Sequence, residues 1–272
     1  MTFLRAIAAA SERMIRIIYR YRRMLAAITR VELAKRHAGS LLGFTWVILQ
    51  PALLLSVYLF VYMVVLRMRF EGFSRFEYVL YVFCGLVPYL GFMEALTAGG
   101  LSIKQNIHLV KNVMLPIELI PVRSVIVGMA SEFVSIGLVL LLAAAAGSLS
   151  WRIAALPFVV VLQVMWLAGL TWILSSVTVA LPDITYFVNL FVFLLMFLSP
   201  IGYRPDMVPR GFAWVIFLNP IYYMTEMYRG AMLADGSFRM SVAIAYALMC
   251  VATFALGSAF FERFRGVLTD YE

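Results

Sequence analysis

Between residues 44 and 261 the chain is a series of apolar runs, several of them long enough to cross a bilayer, with little between them. Hydrophobic residues make up 64% of the 272, and charged residues only 13%. A soluble domain of this length has too little polar surface to cover such a core, so lipid has to cover much of it. Ahead of these runs stands a basic leader, residues 1–36. It holds nine of the 22 Lys and Arg residues (Arg5, Arg13, Arg16, Arg20, Arg22, Arg23, Arg30, Lys35 and Arg36), opposed by Glu12 and Glu32. Basic residues flanking a first span are held on the cytoplasmic side, so the leader sets the orientation. Anionic lipid headgroups are the simplest partner for its charge, and a nucleic-acid surface does not suit a chain otherwise soluble in lipid. The leader is too long and polar for a signal peptide, and no small-residue cleavage site follows the first apolar run.

The leader reads as a helix lying in the membrane surface. Met14, Ile18, Tyr21, Leu25 and Ile28 recur at helical spacing on one stripe, with Arg13, Arg16, Arg20 and Arg23 on the other side. That pattern places the apolar stripe in the headgroup boundary and the arginines toward phosphates or a cytoplasmic partner. Packing of the stripe on protein is the alternative.

Six spans follow, at residues 44–66, 78–97, 120–146, 153–181, 184–198 and 240–261. Pro51 bends the first. Residues 101–116 return to the cytoplasm. There Ile103, Ile107 and Val110 mark one helical face, and Lys104, Gln105, Asn106, His108, Lys111 and Asn112 cover the rest. This short amphipathic helix is either a knob for a partner's groove or an ordinary connector. Residues 199–236 hold apolar pieces too short to cross, 212–218 and 221–233, divided by Asn219-Pro220 as cap and first helical residue. Two half-length helices on the outer side form a re-entrant hairpin, which survives at membrane depth only against protein or water. The expectation is one permease domain over 1–272. It is an all-α membrane protein of six transmembrane helices, with an N-terminal amphipathic interfacial helix (1–36), spans one to five within 44–198, an outer re-entrant helical hairpin (199–236) and the last span at 240–261. Both termini face the cytoplasm.

Enzyme chemistry is nearly silent. The chain has no phosphate-binding G-x-x-x-x-G-K, no glycine-rich dinucleotide turn and no H-E-x-x-H. His37 and His108 are far apart in sequence, and Cys84 and Cys250 sit inside apolar runs as buried free thiols. Among acids in the spans, Glu94 and Glu132 stand out as functional candidates. Structural roles compete with that reading: Glu94 at a span end, and Glu132 paired with Arg123 or a partner helix. A chain that moves a solute without a nucleotide site of its own needs an ATPase partner.

Three stretches carry a family resemblance. Residues 32–51, reading ELAKRHAGSLLGFTWVILQP, resemble the approach to the first span of polysaccharide-exporting ABC-2 permeases. These are the membrane subunits of O-antigen, capsular polysaccharide and teichoic acid exporters. Residues 198–209 (LSPIGYRPDMVP) and 218–230 (LNPIYYMTEMYRG) resemble that family's outer hairpin. Lys35-Arg36-His37 departs from the basic-aromatic-basic cluster more usual there, which leaves the subfamily open.

The resemblance implies a homodimer joined to two copies of an ABC ATP-binding subunit. ATP and Mg would sit on that partner, with no cofactor or metal on this chain. The lipid-linked polysaccharide would pass along the first and fifth spans, in the bacterial inner membrane, with room for a periplasmic or outer-membrane export partner. Burying an unpartnered hydroxyl in alkane costs roughly 4–8 kcal/mol, so sugar needs a hydrated path. Aromatic faces suit loose, sliding contact with it: Tyr58 and Tyr62 on the first span, and Tyr186, Phe193 and Phe197 on the fifth. Their packing against helices or lipid is the competing role. The coupling region would comprise Ile103, Lys104, Ile107, His108, Val110 and Lys111. The outer hairpin would comprise Arg204, Arg210, Asn219, Pro220, Glu226 and Arg229, with Arg204 and Arg210 placed to meet an anionic chain or simply to snorkel. A permease for a drug or small lipid, a membrane-embedded acyl or glycosyl transferase, and a scaffold subunit stay open as alternatives.

Overall fold

The computed structural model describes residues 2–36, 39–65, 74–113, 115–234 and 238–270, and these form an all-helical bundle. The leader forms α1 (Thr2–Arg20) and α2 (Arg22–Arg36). They meet at Tyr21, where the Tyr21 N–H donates to Ile17 O (3.0 Å) and the Leu25 N–H to Tyr21 O (2.9 Å), so the chain bends without losing its ladder. Next come α3 (Trp46–Phe60), closed by one π-turn at Val61–Val65, and the long α4 (Arg75–Val113). The remaining helices are α5 (Leu119–Ala145), α6 (Leu156–Ala180), α7 (Ile184–Leu198), α8 (Ala213–Leu218), α9 (Pro220–Met232) and α10 (Met240–Asp270). Among the described residues, four stretches are long and apolar enough to cross a membrane: Phe76–Asn106, Leu119–Ala145, Trp151–Ala180 and Met240–Gly266. Trp46–Phe60 and Ile184–Leu198 are shorter apolar helices.

The core is built around α4, which packs on α5, α6, α7 and α9, while α6 packs along α10. Close approach sets the α6–α10 crossing. A Cβ on Gly169 would lie 2.4 Å from Thr253 O, and one on Gly257 would lie 2.2 Å from Gly169 O. Small residues let backbones meet this way where lipid, as apolar as leucine, gives helices no hydrophobic reason to associate. Cys84 and Cys250 are buried and free.

Two expectations need correction. The helix expected at residues 101–116 is not separate from the second span. Residues 98–100 stay helical, and α4 bends later, at Asn106 (φ −123°, ψ 21°), whose side-chain amide donates to Ser102 O (2.8 Å). Gly99 lies against α6, where an added Cβ would be 2.3 Å from Thr171 Cγ2. The leader's apolar stripe is also not given over to headgroups. Met14 and Leu25 are buried in a cluster with Ile103, Leu115, Leu119, Trp172 and Phe261, and Ile18, Tyr21 and Ile28 pack partly against it. α1 lies on α10 and α2 on α5. Arg13 pairs with Glu262 (2.5 Å), and Glu32 lies 3.7 Å from Arg123. The stripe meets apolar surface of its own chain before it meets lipid.

Replacing Gly169 with valine forces α6 off α10. Overpacking of this kind costs about 1–3 kcal/mol. Denaturant unfolding in micelles is expected to show that loss for Gly169→Val and almost none for Gly137→Val, where nothing lies within 4 Å of an added Cβ.

Candidate functional site

A crevice of about 910 Å³ opens between α3, α4, α5 and α7. Its walls are mixed. Trp46, Leu54, Leu90, Met93 and Phe193 supply apolar surface, while Arg36, Gln50, Glu94, Glu132 and Asn189 supply polar groups. Arg36, the last residue of α2, forms an ion pair with Glu94 of α4. Glu132 reaches the same cavity from α5 and is 2% exposed. Its partners are on neighbouring helices and not Arg123, which lies near Glu32 instead. The Tyr228 hydroxyl of α9 is shared between Glu132 Oε1 (2.9 Å) and Gln163 Oε1. Gln163 Nε2 of α6 donates to Glu132 Oε2 (2.9 Å) and to Pro88 O of α4 (3.2 Å). One polar knot thus joins α4, α5, α6 and α9.

A second polar knot fixes residues 199–233. Arg229 is 2% exposed. Its Nη2 donates to Pro200 O (2.8 Å) and Ile201 O (2.9 Å), its Nε to Tyr81 O (3.2 Å) and its Nη1 to Glu226 Oε1 (3.0 Å). The guanidinium also stands 3.6 Å from the centroid of the Tyr81 ring. Asn219 caps α9 by accepting from the Ile221 N–H (2.9 Å), with Pro220 at the first helical turn, and its amide donates to Ser199 Oγ (2.9 Å). Tyr78 of α4 donates to Gly202 O (2.9 Å). Arg204 lies 3.2 Å from Asp206, and Arg210's side chain lies outside the described residues.

The sequence-derived site residues scatter. Of the five aromatics, Phe193 lines the crevice. Phe197 meets Phe193 edge to face (5.4 Å between centroids) and is exposed, as is Tyr186; Tyr58 is half-buried, and the Tyr62 side chain lies outside the described residues. In the coupling region Ile103 is buried in the chain's own core and so cannot enter a partner's groove, while Lys104 is exposed. The side chains of Ile107, His108, Val110 and Lys111 lie outside the described residues. On the leader, Arg13, Arg16 and Arg20 border a separate cleft with Arg265, and Arg23 is exposed. Sequence reasoning passed over Gln50, Gln163, Asn189 and Tyr228. The three amides were findable, since they are the only Asn or Gln residues in the six expected spans.

Residues 23–233 match the family described as ABC-2 type transporter. The chain belongs to this family. It is similar to the O-antigen export system permease protein RfbA of Myxococcus xanthus, at 29% identity over 220 residues, 80% of this chain and 83% of that one. It is also similar to the protein of the same name from Klebsiella pneumoniae, at 28% over 209 residues, 76% and 78% of the two chains. The chain is therefore a multi-pass membrane subunit of a transporter and not an enzyme.

Tyr228→Phe removes the hydrogen that the first knot shares, leaving buried acceptors short. That costs about 1–3 kcal/mol. Arg229→Lys costs more, because an ammonium cannot serve four oxygens set in the plane of a guanidinium. Thermal unfolding in micelles is expected to rank Arg229→Lys below Tyr228→Phe, with exposed Tyr186→Phe unchanged.

Proposed function

We propose that this chain is the membrane half of an ATP-driven ABC exporter that carries a lipid-linked cell-surface polysaccharide, of O-antigen type, across the inner membrane. The observation that carries the reading is the likeness to O-antigen export permeases over four fifths of the chain. It is joined to a sequence with no phosphate-binding loop of its own. ATP and Mg belong to a separate ABC ATP-binding subunit, present in two copies, and this chain contributes no cofactor or metal.

In this reading six helices span the membrane, with both termini cytoplasmic. α3 and its π-turn run from Trp46 to Val65, about 30 Å at 1.5 Å per residue, which matches a hydrocarbon core. α7 is about 22 Å by the same rule and crosses with the help of its flanks. α8 and α9 form the re-entrant hairpin on the outer side. The polar knots of Arg229 and Asn219 support that placement, because they answer the irregular backbone around residues 199–204 from within the protein. Two copies form the transporter, with α3 and α7 along the path. Both helices leave wide faces uncovered, including Val57, Phe60, Tyr186 and Phe197. Glycan moves along a hydrated, aromatic-lined route at this seam. Tyr58, Tyr62, Tyr186, Phe193 and Phe197 give it stacking surfaces that hold weakly enough to release. The end of α4, with Lys104 just before the Asn106 bend and Ile107, His108, Val110 and Lys111 beyond it, meets the ATPase; the leader makes the other part of that contact.

The double replacement Ile107→Asp with Val110→Asp tests the coupling. The expected result is that the complex still hydrolyses ATP while surface polysaccharide falls at least tenfold. Undiminished export would remove the coupling assignment. Isolation of the chain from membranes without any bound ATPase would remove the function.

A further inference from the structure

The three amides of the apolar spans are not equivalent. Gln163 is fully engaged, donating to Glu132 and Pro88 and accepting from Tyr228. Gln50 on α3 and Asn189 on α7 have no hydrogen-bond partner among the described residues, and both are exposed to the same crevice. An amide facing hydrocarbon without a partner costs several kcal/mol, roughly 2–7 by transfer. Acyl chains cannot answer it, so water or a polar ligand must.

The position of Asn189 argues against a second copy as the answer. Thr185, Asn189 and Phe193 are four residues apart and follow one line along α7. Phe187, Leu190, Phe191 and Leu194 form an apolar patch on the other side of that helix. Lipid or a partner copy seated on that patch does not reach Asn189, which turns toward the walls of its own protomer.

The chemistry of the lining selects the ligand. The acids are committed, Glu132 to Tyr228 and Gln163, and Glu94 to Arg36. Arg36 is committed in turn, which leaves no uncompensated charge for a phosphate or a metal ion among the described lining residues. What is free is neutral and both donates and accepts, as a sugar hydroxyl does. Trp46, Leu54, Leu90 and Phe193 beside the amides suit sugar C–H faces and an attached hydrocarbon chain. The volume falls in the roughly 300–1,000 Å³ range of small-molecule sites.

We propose that the crevice is a binding site, one per protomer and sharing Phe193 with the proposed glycan route, for the neutral sugar head of an amphiphile, with Gln50 and Asn189 as its hydrogen-bonding pair. The proposal rests on the export reading for its natural ligand, the sugars nearest the lipid carrier. Its test needs neither ATP nor transport, so the two can fail separately.

The test uses the transporter complex in lipid nanodiscs, carrying Gln50→Cys, Asn189→Cys or, as reference on the apolar side, Phe191→Cys; native Cys84 and Cys250 are buried. A charged, water-soluble thiosulfonate is expected to modify the first two thiols at least tenfold faster than the third. Dodecyl maltoside below its micelle concentration should slow them at least threefold, and a polyoxyethylene ether with the same dodecyl chain should not. Rates equal to the reference would mean that lipid or a partner copy fills the crevice. Equal slowing by both amphiphiles would mean that it takes chains and not sugar, and slowing by neither would mean that it takes no amphiphile; each result overturns the proposal. An independent arm uses no cysteine. Gln50→Leu with Asn189→Leu keeps the wild-type melting temperature, since no internal bond is lost, and abolishes the extra thermal stabilisation by maltoside over polyether. Persistence of that stabilisation would also overturn the site.

Discussion

Hydrocarbon offers no hydrogen bond, so a polar group at membrane depth has to be answered by the protein or by what fills a cavity in it. Most of what is distinctive here follows from how that demand is met. Arg229 reaches carbonyls of two separate segments, residues 200–201 and Tyr81, and stacks on the Tyr81 ring. Glu132 reaches Tyr228 and Gln163. Both knots include α9 and both tie it to the bundle. A six-residue α8 and a thirteen-residue α9 are too short to hold position by lipid alone. Polar satisfaction acts here together with apolar burial of Ile221, Met224, Met227 and Met232 in the main core.

The helices are not all held equally firmly. α4, α5, α6 and α10 form the interlocked centre, and at Gly169 and Gly257 two of their backbones are almost in contact. α3 and α7 pack on this centre along narrower strips and show many exposed apolar side chains. Elements with few internal contacts open and shift at the lowest free-energy cost. The proposed route for glycan therefore runs along the two helices that can move without unpacking the core, and the crevice lies on the inward side of both.

The sequence made the apolar spans legible because hydropathy registers environment directly. α7 falls at residues 184–198, as its bounding Pro182-Asp183 and Ser199-Pro200 dictate, and the Asn219-Pro220 cap sits where its chemistry places it. Tertiary contacts overrode local signals elsewhere. The amphipathic pattern of residues 101–116 reads as a separate helix, yet α4 runs on from the second span and bends only at Asn106. Met14 and Leu25 read as lipid-facing, yet the ends of α5 and α10 offer nearer apolar surface. Of the candidate site, the α7 aromatic Phe193 was visible, but the Glu132 knot was not. Its members lie 31 to 96 positions apart, and no short-range pattern reports on such pairings.

The burial of Ile103 changes how force can travel through this subunit. If that side chain projected outward, a partner would push on α4 alone. Instead Ile103 shares a cluster with Met14 of α1, Leu25 of α2, Leu119 of α5, Trp172 of α6 and Phe261 of α10. Packed cores shift as units and do not deform continuously. A load applied beyond the Asn106 bend would thus reach the leader and three other spans together. α2, moved with them, carries Arg36, whose ion pair with Glu94 stands at the crevice. In the proposed exporter, the contact that receives the ATPase stroke and the ion pair beside the unpaired amides are therefore joined by one continuous piece of packing.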